Sequence, residues 1–237
     1  MILGKRNTGN GCGENEHSEA DYSPAVLEDM GSSTLKTRHG KIHCLTIVGQ
    51  IEGHMTLPQG AKATRYEHVL PLLASLEADE GIGGVLFLIN TMGGDVEAGL
   101  AIAELISGMK KPTVSLVLGG GHSIGIPLAV APQSTMIAPS ASMTVHPIRM
   151  NGTMIAAPQT YNYFSRLQER VVRFVTRNSH ITEQKFTELM MSAKDMAADV
   201  GSVIYGEEAV ECGLIDRVGS LADALEALYE KMKKSGA

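Results

Sequence analysis

Residues 84–95 read Gly-Val-Leu-Phe-Leu-Ile-Asn-Thr-Met-Gly-Gly-Asp, an apolar run that ends in a pair of glycines. The run from Gly84 to Asn90 is apolar almost throughout, which is typical of a parallel strand covered on both faces. The glycines at positions 93 and 94 predict a tight turn, because glycine lets the backbone bend sharply. The turn leads into a helix whose apolar stripe consists of Val96, Leu100, Ala103 and Ile106.

The same order of elements recurs in the next part of the chain. Pro112 closes the helix, and the residues from Thr113 to Leu118 predict a second strand. A second glycine turn, Gly119–Gly121, precedes a short helix that ends near Ala131. Repeated βαβ units predict an α/β domain with a largely parallel sheet and right-handed crossovers. Both glycine turns then lie at the carboxyl ends of strands, where ligands bind in such sheets.

Further elements extend this domain on both sides. Upstream, residues 41–49 predict the first strand, and leucines at near-helical spacing within residues 61–79 predict an amphipathic helix. Downstream, a long amphipathic helix is expected from about Gln159 to Arg177, and its length suits an interface arm between subunits. Residues 1–40 are mainly small and polar, so we expect a flexible N-terminal tail followed by one domain, 41–237.

Composition argues against several classes of function. The chain has 237 residues, a formal net charge of -6 and only 4% aromatic residues, which disfavours nucleic-acid binding. Its three cysteines show no paired spacing, so we expect neither a disulfide framework nor a zinc site. We also expect no other metal and no cofactor. No secretory signal follows Lys5-Arg6, and no unbroken apolar run reaches the ~20 residues of a spanning helix. We expect a cytoplasmic protein, with contact with the inner face of the membrane left open.

Ser123 is the candidate nucleophile. It stands in Gly121-His-Ser-Ile-Gly125, where the flanking glycines leave its hydroxyl uncrowded at the start of a helix. The alternative is that the Ser123 side chain only caps that helix, since serine is common at N-caps. A nucleophilic serine needs a base, and His146 is the candidate because Pro147 biases it towards extended geometry at a strand end.

The two glycine turns supply candidate donors for an oxyanion hole. On neighbouring parallel strands, the N–H groups of Gly94 and Ile124 could converge on one point. The alternative is that Gly93-Gly94 forms a tight turn alone. A phosphate-binding loop is a weaker alternative, because the Gly-Lys-Ser/Thr signature is missing.

Four motifs, taken in order, resemble the ClpP-type serine peptidases. They are Ile89-Asn-Thr-Met-Gly-Gly94, Gly121-His-Ser-Ile-Gly125, Met143-Thr-Val-His-Pro147 and Glu208-Ala-Val-Glu-Cys-Gly-Leu-Ile-Asp216. The similarity runs from about Lys41 to the C-terminus and is greatest to the translocation-enhancing branch of that family.

The resemblance implies a crotonase-like spiral of ββα units, stacked homo-oligomeric rings, and hydrolysis of peptides or unfolded proteins by a Ser-His-Asp triad. By position it implies that Ser123 is the nucleophile, that His146 is the base, and that Gly94 and Ile124 are the oxyanion donors. The long protruding helix would be the handle that joins two rings. Contact with the translocation machinery is a further expectation.

The acid of the triad does not follow directly from the motifs. Counting back without gaps from Glu208 places Gly201 at the family's aspartate position. We choose Asp199 as the acid and keep Asp195 as its substitute. Met92 replaces the proline usual before the paired glycines, which changes how this loop would meet a substrate. The N-terminal tail differs from the family's short axial loops, so docking to an unfoldase ATPase is doubtful.

Other functions are compatible with parts of this pattern. An α/β-hydrolase orders its triad as Ser, acid and His, but the only acid between Ser123 and His180 is Glu169, within the long helix. The spiral fold also hosts acyl-CoA hydratases and isomerases, which use paired oxyanion donors without a serine nucleophile. A catalytically inactive oligomeric scaffold that assists protein export is the alternative from another class. We predict an ATP-independent or partner-fed serine endopeptidase linked to protein translocation or preprotein processing.

Overall fold

A nine-stranded sheet forms the centre of the computed structural model, which describes residues 31–149, 156–194 and 200–236. The main path through the sheet includes six strands, and three further strands pair beside it. In chain order the strands are β1 (Ser32–Thr37), β2 (Gly40–Glu52), β3 (Ala63–Arg65), β4 (Ile82–Gly94), β5 (Thr113–Gly121), β6 (Ser134–Ile137), β7 (Ser142–Val145), β8 (Ser202–Tyr205) and β9 (Arg217–Val218).

Seven helices pack around the sheet within the described ranges. None of them is both long enough and apolar enough to cross a membrane. In chain order they are α1 (Tyr66–Ala78), α2 (Val96–Gly108), α3 (Gly125–Val130), α4 (Ala157–Arg177), α5 (Glu183–Met190), α6 (Gly206–Glu211) and α7 (Leu221–Ser235).

The sheet is largely parallel, as the repeated βαβ units predict. Its main order is β1-β2-β4-β5-β6-β9, and every neighbouring pair except β1 and β2 is parallel. At the carboxyl end of β5, Gly120 pairs with Ser142 of β7, which is in turn antiparallel to β8. The ends of β4, β5 and β7 therefore meet at one edge of the fold.

Three short strands were not predicted. Strand β3 occupies the start of the helix expected within residues 61–79, and that helix begins only at Tyr66. Strand β1 belongs to what was expected to be the tail, residues 1–40, of which residues 1–30 lie outside the described residues. Its polar residues form a strand because they pair antiparallel with β2 along their whole length. Strand β8 was not predicted either, and it exists through its pairing with β7. For β1 and β8, pairing partners distant from the local pattern override composition.

The core lies on both faces of β4, as its apolar sequence predicts. Val85, Phe87 and Ile89 belong to the larger cluster, which also contains the buried faces of α1 to α5. Leu86 points to the opposite face, where α7 covers a smaller cluster through residues such as Leu228. This alternation follows from the period of two along a strand.

One buried histidine makes the stability of this core sensitive to pH. The Nδ1 atom of His43 is hydrogen-bonded to the Thr34 hydroxyl at 2.9 Å, whereas its Nε2 is buried without a partner in the described structure. Burial lowers the pKa of the His43 imidazole below its ordinary value of 6.5. The unfolded chain then takes up a proton at a higher pH than the folded chain. The free energy of unfolding therefore decreases as the pH falls below about 6.5.

We expect His43→Gln to weaken this pH dependence. Glutamine keeps a polar group for Thr34 but does not titrate, so the variant loses less stability than the wild type on going from about pH 7.5 to about pH 5.5. Urea unfolding at the two pH values measures the difference, which is at most about 1.4 kcal/mol per pH unit for one histidine. His122, whose pKa is also lowered by burial, keeps part of the slope in the variant. An equal slope in both proteins would contradict the prediction.

Candidate active site

The two predicted glycine turns, Gly93-Gly94 and Gly119–Gly121, are in the structure the last residues of the neighbouring strands β4 and β5. Thr91 pairs with Gly121, and the N–H of His122 donates a hydrogen bond to the Thr91 carbonyl at 3.1 Å. A Cβ atom added to Gly93 would lie 2.6 Å from the Cβ atom of Ser123, so the first turn runs directly beside this serine. The contact explains why a glycine is needed at position 93, whose φ is also +91°.

Ser123 has a backbone conformation that is rare for a residue with a side chain. Its φ is +57°, and its N–H donates a hydrogen bond to the Thr144 carbonyl at 2.9 Å, which ties the turn to β7. The N-cap of α3 is Ile124, without a side-chain cap, so the structure does not support the alternative of Ser123 as a capping residue. Strained backbone of this kind is concentrated at functional sites.

The backbone around Ser123 leaves one N–H group available. The N–H of Gly125 donates to the His122 carbonyl at 2.8 Å, and that of Ile126 donates to the Ser123 carbonyl at 3.0 Å. Within the described chain no hydrogen bond engages the N–H of Ile124. A free N–H directly after a serine is what an oxyanion hole requires.

His146 follows β7 directly, and its ring is oriented by the backbone. Its Nδ1 atom donates a hydrogen bond to the Pro147 carbonyl at 2.6 Å. A carbonyl oxygen can only accept, so in the neutral ring Nδ1 carries the proton and Nε2 has the free lone pair. This is the tautomer that a general base acting through Nε2 needs. Within the described residues, no hydrogen bond joins the His146 ring to the Ser123 hydroxyl.

All four sequence-predicted residues within the described ranges line one cavity of about 160 Å³: Ser123, His146, Gly94 and Ile124. The other lining residues come from α2, α3, α4, α5 and the end of β7, and most of them are apolar. They are Val96, Ile126, Val145, Pro147, Ile148, Arg149, Val171, Phe186 and Met190. The walls from α4 and α5 were not predicted, because nothing local in those helices indicates which sheet edge they cover.

The two candidate acids, Asp199 and Asp195, lie outside the described residues. The strand pairing nevertheless locates the position that the family motif indicates. Val145 pairs with Ser202 in the antiparallel β7–β8 ladder, so Gly201 follows on beside His146. Gly201 has a φ of +140°, and its N–H donates to the Ser192 carbonyl at 2.7 Å.

A second histidine, which sequence reasoning set aside as a base, also belongs to this region. Nδ1 of His122 is hydrogen-bonded to the Thr144 hydroxyl at 2.9 Å. Burial, and to a lesser extent the nearby His146 ring, lower the pKa of His122, so it stays neutral to lower pH than a free histidine. Side chains alternate along β7, so Thr144 and His146 lie on the same side of the strand. This alternation was the sequence signal that Thr144, the partner of His122, belongs to the site. The described residues contain no group of three or more potential metal ligands.

Gly93→Ala should damage the site severely. The new methyl group would be 2.9 Å from the His122 carbonyl oxygen as well as 2.6 Å from the Ser123 Cβ atom, and alanine is strained at a φ of +91°. We expect a loss of about 1–3 kcal/mol in the free energy of unfolding, together with loss of reaction at Ser123. Chemical denaturation and a serine-directed probe measure the two effects. Gly108→Ala is the control, because a Cβ atom there meets nothing within 4 Å.

Comparison with known proteins agrees with the four motifs. A family model described as Clp protease matches residues 39–221, which include both glycine turns, Ser123 and His146. The translocation-enhancing protein TepA of Halalkalibacterium halodurans is 51% identical over 209 residues, covering 88% of this chain and 82% of that protein. The ATP-dependent Clp protease proteolytic subunit of Streptococcus equi subsp. equi is 24% identical over 206 residues, covering 82% of this chain and 95% of that subunit. The predicted fold and family are confirmed, and the chain belongs to the Clp protease family.

Proposed function

We propose that this protein is a serine endopeptidase in which Ser123 is the nucleophile and His146 is the general base. The observation that carries the proposal is the shared cavity, in which a serine of strained backbone lies with a histidine and two glycine-turn N–H groups. This set of groups matches what acyl transfer needs: a nucleophile, a base and donors for the oxyanion.

The reaction follows from the roles of these groups. Nε2 of His146 takes the Ser123 proton as Oγ attacks the peptide carbonyl, and the N–H groups of Gly94 and Ile124 stabilise the oxyanion. The imidazolium then gives its proton to the leaving amine, and water hydrolyses the acyl-enzyme by the same steps. Asp199 is the proposed acid that stabilises the charged ring, with Asp195 as its substitute.

The lining and the volume of the cavity also indicate which class of substrate side chain it would accept. Its lining beyond the reacting groups is mostly apolar, and its volume of about 160 Å³ suits a residue of medium size. We therefore propose that the residue on the acyl side of the cleaved bond is apolar and of medium size, such as methionine or leucine. Arg149 is the charged member of the lining and is exposed.

Features outside the cavity support assembly into rings. No residue of α4 before Leu167 is buried, and Tyr161 and Tyr163 are 73% and 53% exposed. Exposed aromatic residues on the first half of this helix favour contact with another copy of the chain. Stacked rings would restrict entry to short or unfolded chains. The name of the H. halodurans relative supports a link to protein translocation. A cytoplasmic site of action is part of the proposal, and docking to an ATPase partner is not.

A non-catalytic scaffold is the second candidate function. The observation that favours it is the register of the β7–β8 ladder, in which Val145 pairs with Ser202 and Gly201 is the next residue. Counting back from Glu208 places Gly201 where the family motif has an aspartate. Without a carboxylate, the Pro147 carbonyl would be the only group among the described residues that orients the His146 ring by a hydrogen bond. A neutral carbonyl stabilises an imidazolium less than a carboxylate does.

A fluorophosphonate probe separates the two candidates. We expect the assembled wild-type protein to be labelled covalently, and Ser123→Ala to remain unlabelled while forming the same oligomer. Mass spectrometry of the labelled peptide identifies the serine. Absence of labelling in a wild-type oligomer of native size would contradict the peptidase and favour the scaffold.

A further inference from the structure

Two ion pairs join α2 to α4 like the rungs of a ladder. In the first rung, Nη1 and Nη2 of Arg170 lie 2.7 Å and 3.0 Å from Oε1 and Oε2 of Glu97. In the second rung, Nη2 of Arg177 lies 3.0 Å and 2.9 Å from the two carboxylate oxygens of Glu104. Seven residues separate the rungs on both helices, so α2 and α4 run in the same direction.

Only the first rung adjoins the candidate active site. Its two residues are the chain neighbours of Val96 and Val171, which line the cavity from opposite helices. The second rung does not contact the cavity. It borders a separate groove of about 300 Å³ that contains Phe174 and is also lined by the first rung.

Glu97, the acidic residue of the first rung, is three residues from Gly94, one of the proposed oxyanion donors. Glu97 lies in the first turn of α2, whose N-cap is Asp95. The Asp95 side chain accepts a hydrogen bond from the N–H of Ala98 at 2.9 Å, and its own N–H donates to the Ile51 carbonyl at 3.0 Å. Glu97 therefore lies in a helix end that is held by two hydrogen bonds of Asp95, the residue that directly follows Gly94.

We propose that Glu97 and Arg170 are positioning residues that hold Val171, in the wall of the cavity, close to the Gly93-Gly94 stretch that supplies an oxyanion donor. The inference rests on the proposed function, since it says how that site encloses its substrate. The pair controls how tightly an apolar substrate side chain is held next to Ser123. The bidentate geometry supports this role, because two parallel hydrogen bonds fix both distance and orientation.

The expected effect is on substrate binding more than on folding. Both partners are partly exposed, and exposed ion pairs contribute little to global stability. A looser wall weakens the enclosure of a leucine side chain but has little effect on an alanine side chain, which does not reach the wall. We expect Glu97→Gln to raise KM about fivefold for the leucine substrate, the factor that about 1 kcal/mol corresponds to, with kcat changed less than about twofold.

The second rung provides the matched control. Glu104→Gln removes the same kind of ion pair from the same two helices. We expect it to leave KM unchanged for the leucine substrate and for the alanine substrate. The double variant Glu97→Arg with Arg170→Glu restores an ion pair of reversed polarity and should return KM to the wild-type value. Equal effects of Glu97→Gln and Glu104→Gln, or no effect of Glu97→Gln, would overturn the proposal.

A second readout does not depend on catalysis. The chain contains no tryptophan, so Phe186→Trp places a unique fluorophore in the cavity wall, and Met190→Trp does so if the first variant fails to fold. In this background we expect Glu97→Gln, but not Glu104→Gln, to increase acrylamide quenching about twofold. Unchanged quenching would overturn the positioning role even if the protein proved not to be a peptidase. Increased quenching in a protein that no fluorophosphonate labels would support the positioning role and reject the peptidase.

Discussion

His146→Gln should lower kcat/KM for peptide hydrolysis by at least about 10⁴-fold, with the loss in kcat. Glutamine cannot take a proton from Ser123, so the hydroxyl stays a weak nucleophile. The N–H groups of Gly94 and Ile124, the proposed oxyanion donors, are unchanged in this variant, so substrate binding and KM should change little. Steady-state assays with a short fluorogenic peptide measure both constants, and gel filtration checks assembly.

His122→Gln is the matched control for this experiment. His122 is adjacent to Ser123 in the chain and is held by the Thr144 hydroxyl, whereas His146 has its Nδ1 proton on the Pro147 carbonyl. We expect the His122 variant to keep activity within about tenfold of the wild type. If the His122 variant lost more activity than the His146 variant, the base would be wrongly assigned.

The sequence was sufficient to predict the parts of the fold that have a recognisable apolar pattern. The apolar run before Gly93 and the strand from Thr113 gave the parallel centre of the sheet, since a strand buried on both faces leaves a recognisable pattern. The strands β1 and β8 were missed because they are short and partly polar. Their stability comes from pairing with β2 and β7, which no local window contains.

The candidate site could be predicted where backbone geometry dictates residue type. Glycine at position 93 is required by a close approach to Ser123, and that requirement appears directly in the sequence. The cavity walls were not predictable in the same way, because Val171 and Phe186 resemble ordinary core residues of amphipathic helices. Their distance in sequence from Ser123 hides a contact that only the packing of α4 and α5 creates. The catalytic roles themselves stay predictions.

Asp199→Asn should lower kcat by about 10³–10⁴-fold and leave assembly intact, whereas Asp195→Asn should have little effect. The physical reason lies in the charge on the ring during acylation. The Pro147 carbonyl, 2.6 Å from Nδ1, already selects the tautomer of His146, so a carboxylate is not needed for that task. A carboxylate is needed to stabilise the imidazolium, which a neutral carbonyl does less well. The kcat value, measured with a short peptide on each purified oligomer, tests this difference.

The three outcomes of this comparison separate three mechanisms. A large loss in the Asp199 variant alone supports a Ser-His-Asp triad in which the acid has moved two residues from Gly201, the position beside His146. A large loss in the Asp195 variant alone would show that the acid is wrongly assigned. If both variants kept kcat within about tenfold of the wild type, the Pro147 carbonyl would be the working partner of His146, and the protein would act as a Ser-His dyad. In that case turnover should be slow even in the wild type, because the positive charge on His146 would have only a backbone dipole to stabilise it.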